Sequence, residues 1–203
     1  MPCARELVRA LVALADEEDY SFLVVPGGGP MADLVREIFS CGELSQEAAH
    51  WMAILAMEQY AYFLADGTGI RLTCKIHRPQ GDRNVEILLP YLAMQKENSG
   101  LELGLKHNWD YTSDSVALLV ASQLSAPLIK ATDVDGVVLD GKVVEEVSAS
   151  SLLGFESCID QGTLNLLCDS LKGRSVWVMS GTDPERFVRS LKEGKGGTVI
   201  KGQ

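Results

Sequence analysis

Three clusters in this 203-residue chain set backbone amides and carboxylates where an anionic ligand could be handled. The first is Gly27-Gly28-Gly29, between the apolar run Ser21–Pro26 and a helical pattern over Met31–Phe39. Three residues without a Cβ at a helix start let bare N–H groups approach an anion. The second is a polar loop from His107 to Asp114, leading into the apolar spacing of Val116, Leu119, Val120 and Leu124. The third is the acidic turn Thr132-Asp133-Val134-Asp135-Gly136, which follows the short strand Leu128-Ile129. Each also has a plain structural reading. The glycines could be a tight strand-to-helix turn, Ser113 or Asp114 an N-cap, and Asp135-Gly136 an ordinary turn. Carboxylates at both ends of one loop–helix–strand unit nevertheless point to a polar cleft at a sheet edge, where open α/β sheets bind ligands.

The elements that must position these clusters read as alternating helices and strands. Ala4–Ala15 has a helical spacing with Leu7, Leu11, Val12 and Leu14 on one side. Ser21–Pro26 is continuously apolar, which predicts a buried parallel strand rather than an edge. Ser45–Leu64 is a long helix capped by Ser45 and apolar nearly all round, so it is buried and partly available to a subunit interface. Its His50 and Trp51 either line a substrate pocket or pack as a pair. Ile70–Ile76 alternates like a half-buried strand, Pro79–Arg83 is a loop, Val85–Leu89 a buried strand, and Lys96–Gly104 a surface loop. Asp140-Gly141 predicts a hairpin over Val137–Val144. Ser148–Phe155 reads as loop or short helix, Ile159–Leu171 as helix, and Val176–Met179 as a buried strand. Thr182 and Asp183 can cap a helix from Pro184 to Leu191, and Thr198–Ile200 closes the chain as a strand. This order predicts one α/β domain, a three-layer α/β/α sandwich around a mainly parallel central sheet.

Composition narrows the partners. The net charge of −10 disfavours a nucleic-acid backbone, and no apolar run approaches the roughly 18 residues of a membrane span. Hydrophobic content of 46% and charged content of 23% suit a folded globular chain. The first residues lack the pattern of a signal peptide. Five cysteines, an odd number without C-x-x-C spacing, read as free thiols in a reducing cytoplasm.

Taken together, VVPGGGPMADLVREI, HNWDYTSDSVALLVASQL, IKATDVDGVVLDGK and VWVMSGTDPERFVRSL resemble the amino acid kinase superfamily, over essentially the whole chain and in the family's order. With its Pro-Gly-Gly-Gly turn, AHWMA helix, Trp before TSDS, TDVDGV and C-terminal strand–Gly–Asp-Pro-Glu-Arg helix, the sequence resembles within that superfamily the aminomethylfuranmethyl phosphate kinase branch, assigned to methanofuran biosynthesis. The resemblance implies transfer of the ATP γ-phosphoryl group to a phosphate or carboxylate acceptor, with Mg²⁺ arriving on the nucleotide. It implies that Gly27, Gly28 and Gly29 hold the acceptor and the transferring group, Gly28 being catalytic, with Arg36, His50, Thr112 and Ser113 on the acceptor. Asp114 matches the carboxylate that organises catalytic lysines. Thr132, Asp133, Val134, Asp135, Gly136 and Lys142 would lie along ATP. No metal is held by side chains alone, and a homo-oligomer of two or more subunits is implied.

Two departures bear on activity. Relatives begin with a strand and loop of the type Lys-x-Gly-Gly-Ser, whereas this chain starts at Met1-Pro2-Cys3, inside the exit of that loop. Relatives also carry a lysine or arginine on the helix before the strand that matches Val176, and Ile159–Leu171 has none. Lys172, Lys130 and Lys142 are candidate replacements without support from spacing. The expectation is a central first strand missing from the sheet and a weakly active or inactive kinase, or else a nucleotide-binding subunit without turnover.

Overall fold

The computed structural model describes residues 2–81, 84–96 and 105–203, without the side chains of Pro2 and Cys3. Residues 82–83 of the loop expected at 79–83, residues 97–104 of the expected surface loop, and the thiol of Cys3 lie outside the described residues.

The chain alternates as expected: α1 (Pro2–Glu17), β1 (Phe22–Val24), α2 (Gly29–Ser40), α3 (Gln46–Ala65), β2 (Arg71–Thr73), β3 (Val85–Leu88), α4 (Pro90–Met94) and α5 (Ser113–Gln123). Then come β4 (Leu128–Thr132), β5 (Val138–Leu139), β6 (Lys142–Val143), β7 (Glu146–Ser148), α6 (Gln161–Cys168), β8 (Ser175–Ser180), α7 (Pro184–Glu193) and β9 (Thr198–Lys201). Ser45 caps α3, its hydroxyl accepting the Ala48 N–H at 3.1 Å. Asp183 caps α7 in the same way through the Arg186 N–H at 3.0 Å, and Gly194 ends that helix in a left-handed conformation. The Asp140-Gly141 hairpin forms as read, both residues having positive φ, 50° and 75°.

Among the described residues, and apart from the β5–β6 hairpin, the strands divide into two sheets rather than one. The first has the order β1-β3-β2, all parallel; the second has the order β4-β8-β9-β7, parallel except for the β8–β9 pair. β1 was expected inside a sheet, yet it pairs only with β3 among the described residues and is half-buried. The apolar run reports that helices cover both faces of the strand. It carries no information about whether each backbone edge is paired. Among the described residues β4 likewise pairs only with β8.

Side-chain alternation along β8 shows how the layers form. Val176 and Val178 point into a core with Val116 and Leu118 of α5 and Leu164 and Leu167 of α6. Trp177 and Met179 point the other way, onto Leu7, Leu11 and Leu14 of α1 and Phe187 and Leu191 of α7. The helix expected over 159–171 is shorter, Gln161–Cys168. The segment 148–155 contains a strand end and a 3₁₀ turn, Ala149–Leu152, capped by Ser148.

Candidate active site

The start of α5 is organised from a distance. Sequence spacing placed its cap on Ser113 or Asp114. In the fold Thr112 occupies the cap position, and its side chain makes no capping bond. Asp160 supplies the cap instead, its Oδ2 accepting the N–H groups of Thr112 (2.9 Å) and Ser115 (3.2 Å) and the Thr112 hydroxyl (2.8 Å). Its Oδ1 accepts the Ser115 hydroxyl at 2.7 Å and caps α6 through the Thr163 N–H at 2.6 Å. One carboxylate therefore joins two helix N-termini, and the positive ends of both helices favour its charge.

Asp114 is thereby released from capping. Its Oδ2 receives the ammonium of Lys130 from β4 and the backbone N–H of Asp160 at 3.1 Å. Burial pushes the Asp114 carboxyl above the usual range, and the nearby Asp160 charge adds to this, while Lys130 pulls it back down. Neither side chain is sealed off: Lys130 keeps 20% and Asp114 15% of its exposure.

The glycine turn meets this helix start. Gly28 is the cap position of α2, and a Cβ there would collide with Ala32. Gly29 has φ +52°, and a Cβ would stand 3.0 Å from the Tyr60 ring. Local packing therefore accounts for these two glycines. Gly27 differs: a Cβ would meet only the Ser113 hydroxyl, at an ordinary 3.8 Å. The Gly27 backbone thus lies beside the N-terminus of α5 without any packing demand that it be glycine.

A cleft opens at this junction, lined by Gly28, Arg36, His50, Trp109, Thr112 and Ser113 among others. Arg36 is half-exposed, pairs with Asp33 at 2.7 Å, and lies 5.4 Å over the Trp109 ring. His50 stacks on His107, with ring centres 4.1 Å apart, and Trp51 stands edge-on to both. Glu47 fixes the set, accepting the Trp51 indole N–H at 2.7 Å and lying 2.6 Å from His107 Nδ1. Burial first, and the His107 charge second, push His50 down to about 4, so it is neutral near pH 7. His50 packs against Trp51 and also lines the cleft.

The acidic turn after β4 is held from the opposite side. A Cβ on Gly136, whose φ is +151°, would strike Thr198 and Val143, so the turn is moulded against β9. Thr198 Oγ1 accepts the Val137 N–H at 2.9 Å and donates to the Val144 carbonyl. Asp135 pairs with Arg186 of α7 at 2.9 Å, Asp133 accepts the Thr132 hydroxyl at 3.2 Å, and Val134 is exposed. Lys142 stands exposed on β6. Among the described residues no group of three His, Cys, Asp or Glu gathers to hold a metal.

The structure thus gathers Gly27, Gly28, Arg36, His50, Thr112, Ser113 and Asp114 at one junction, with Gly29 in the turn behind it. Lys130 ties this junction to Thr132–Gly136 along a single strand. Sequence reading missed Asp160, Glu47 and His107, and it offered Lys130 without support from spacing. Asp160 to Thr163 has capping spacing and Glu47 to Trp51 is one helical turn, so both were available as signals. Nothing in the sequence pointed to the His107 stack.

The sequence pattern of the amino acid kinase family matches residues 2–200. The chain belongs to the amino acid kinase family. Its members are phosphotransferases, in keeping with a site built from amides, a carboxylate and cations. This amino acid kinase is 32% identical to [5-(aminomethyl)furan-3-yl]methyl phosphate kinase of Methanocaldococcus jannaschii, over 95% of this chain and 88% of that protein. Its fold is similar to that of uridylate kinase from Archaeoglobus fulgidus, with a TM-score of 0.64 and 20% identity over 97% of this chain and 91% of the other. It is also similar to isopentenyl phosphate kinase of T. acidophilum, with a TM-score of 0.56 and 16% identity over 98% and 90%. No helix among the described residues is long and apolar enough to cross a membrane.

Proposed function

We propose that this amino acid kinase transfers the γ-phosphoryl group of ATP to a small phosphate acceptor, an aminomethylfuran phosphate of methanofuran biosynthesis. The observation that carries the reading is the meeting of the Gly27 backbone with Ser113 at the edge of the cleft that holds Arg36 and His50. Backbone N–H groups of the glycine turn and the first turn of α5 suit the oxygens of an anionic acceptor. Arg36 adds a fixed charge whose planar fork matches phosphate, and its place over Trp109 restricts where that fork points. Trp109 and Tyr111 line the cleft with aromatic surface suited to a small ring. Neutral His50 can hydrogen-bond without adding charge. The relative named for an aminomethylfuranmethyl phosphate supports the choice of acceptor.

ATP would run along Thr132–Gly136, and Mg²⁺ arriving with it supplies charge neutralisation of the phosphates, bound mainly through their oxygens and water. The transition state for phosphoryl transfer is loose and charge-rich, so the protein contributes position and electrostatics. Exposed Leu55 and Tyr62, two helical turns apart on α3, offer a surface for a second copy, and the reading includes a cytoplasmic homo-oligomer.

Calorimetry with Mg²⁺-ATP, followed by phosphorus NMR of a mixture containing the aminomethylfuran phosphate, tests the reading. Saturable ATP binding and a new diphosphate signal are expected. Folded protein that binds no ATP overturns it. The absence of any lysine or arginine from α6 favours a second reading, a nucleotide-binding subunit without turnover. Binding with no diphosphate product would select that reading.

A further inference from the structure

We infer that Lys130 is the cation that this chain places on the transferring phosphoryl group, with Asp114 as the residue that positions it. The inference rests on the kinase reading above, and three observations lead to it. Lys130 stands on β4 two residues before Thr132, so both side chains leave the same face of the strand and Lys130 adjoins the turn assigned to the nucleotide. Its ammonium lies on Asp114, the neighbour of Ser113, which in turn faces Gly27 at the acceptor cleft. Lys130 therefore occupies the seam between the two halves of the site. The thiol of Cys158, pushed up by burial, is drawn down by Lys130 and raised by Asp114 and Asp133, so these charges share one neighbourhood.

A structural ion pair alone would account for less. Asp114 Oδ2 takes one N–H of the ammonium, and an ammonium has three. With 20% of the side chain open to solvent, and no second partner among the described residues, the remaining donors can meet a ligand. Asp114 is itself held by the Asp160 N–H, so the lysine is anchored to a fixed carboxylate. α6 itself carries no lysine or arginine that would compete for this place.

The step balances without a further reactant. An acceptor phosphate oxygen forms a bond to the γ-phosphorus while the bond from that phosphorus to the β,γ-bridging oxygen breaks. The electron pair leaves with ADP. Lys130 donates hydrogen bonds to the equatorial oxygens throughout and transfers no proton. Removing one such donor costs roughly 10²–10³ in rate.

The test compares the full chain with Lys130→Arg and Lys130→Met, each verified as folded by circular dichroism. Lys130→Arg keeps the charge and a partner for Asp114 but displaces the donors. A 10²-fold or larger fall in kcat is expected, with KM for the acceptor nearly unchanged. In calorimetry, wild type should bind a non-hydrolysable ATP analogue about tenfold more tightly than ADP, and Lys130→Met should remove that preference. Ethylammonium should restore part of the activity of Lys130→Ala, a rescue that a purely structural role does not give. Folded variants that turn over within threefold of wild type, or that keep the preference for the triphosphate, overturn the inference and leave the kinase reading standing. So does a wild type that binds the analogue and ADP equally. A wild type that binds neither nucleotide overturns both. Should Lys130→Met not fold, Lys130→Arg and the wild-type preference decide the matter.

Discussion

Asp160 accepts both the backbone N–H and the hydroxyl of Thr112, 48 positions earlier in the chain, and so ties the first turn of α6 to the first turn of α5. Replacing it with Ala leaves the donors of Thr112, Ser115 and Thr163 short of their acceptor. Hydrogen bonds to a charged group are worth about 1.5–3 kcal/mol each, with partial recovery by water, so Asp160→Ala should cost ~3 kcal/mol. Urea denaturation followed by circular dichroism measures this. A loss under ~0.5 kcal/mol would show that the cap is not structural.

Much of the scaffold was legible because it rests on local signals. Ser45, Asp183 and the Asp140-Gly141 pair were each read correctly, since a cap or a two-residue turn is decided within a few positions. The site was legible only in part. Gly27 and Ser113 were both named, yet their adjacency depends on how β1 and α5 pack. Lys130 reaches Asp114 across 16 positions, and Asp160 reaches Thr112 across 48, separations at which spacing says nothing about contact. The division into two sheets escaped detection for the same reason, because side-chain pattern reports faces and leaves edges unmarked.

Gly27 and Gly29 should respond differently to alanine. At Gly29 the positive φ and the Tyr60 ring both oppose a Cβ, so Gly29→Ala should cost about 1–2 kcal/mol or more in stability. Gly27→Ala should fold with nearly wild-type stability and still lose phosphoryl transfer, because its methyl enters the space beside Ser113. Thermal melts and turnover on the same samples separate the two. Equal activity in Gly27→Ala and wild type would remove Gly27 from the site.

His50 gives stability a pH dependence of definite sign. Its folded value of about 4 lies below its ordinary 6.5, so between these values the unfolded chain binds the extra proton and the folded chain does not. Stability should therefore fall as pH drops from 6.5 towards 4, by at most about 3 kcal/mol from this group. Glu47, held below its usual range chiefly by the His107 hydrogen bond, acts in the same direction but only below its ordinary 4.5. Melting temperatures across that range should decline more steeply for wild type than for His50→Gln. Parallel curves would assign the acid sensitivity elsewhere.

Glu86 on β3 is 1% exposed and is held by Arg71, with His77 Nε2 3.0 Å from its second oxygen but out of line for a hydrogen bond. The arginine is half-exposed, whereas the carboxylate has no route to water. Arg71→Ala should therefore cost about 3 kcal/mol or more, because it strands a buried charge, while Glu86→Gln should cost less. Chemical denaturation of the two variants checks the order. The reverse ranking would mean that His77 is the partner that matters.

Thr198, wholly buried in the last strand, grips the hairpin at both ends through Val137 and Val144 and forms the wall against which Gly136 turns. Alterations at the tail of the polypeptide are thus transmitted to a loop sixty positions upstream with no change in that loop's own composition. Thr198→Val should speed amide hydrogen exchange at Val137 while leaving the glycine bend at 27–29 quiet, so the two segments can be loosened independently.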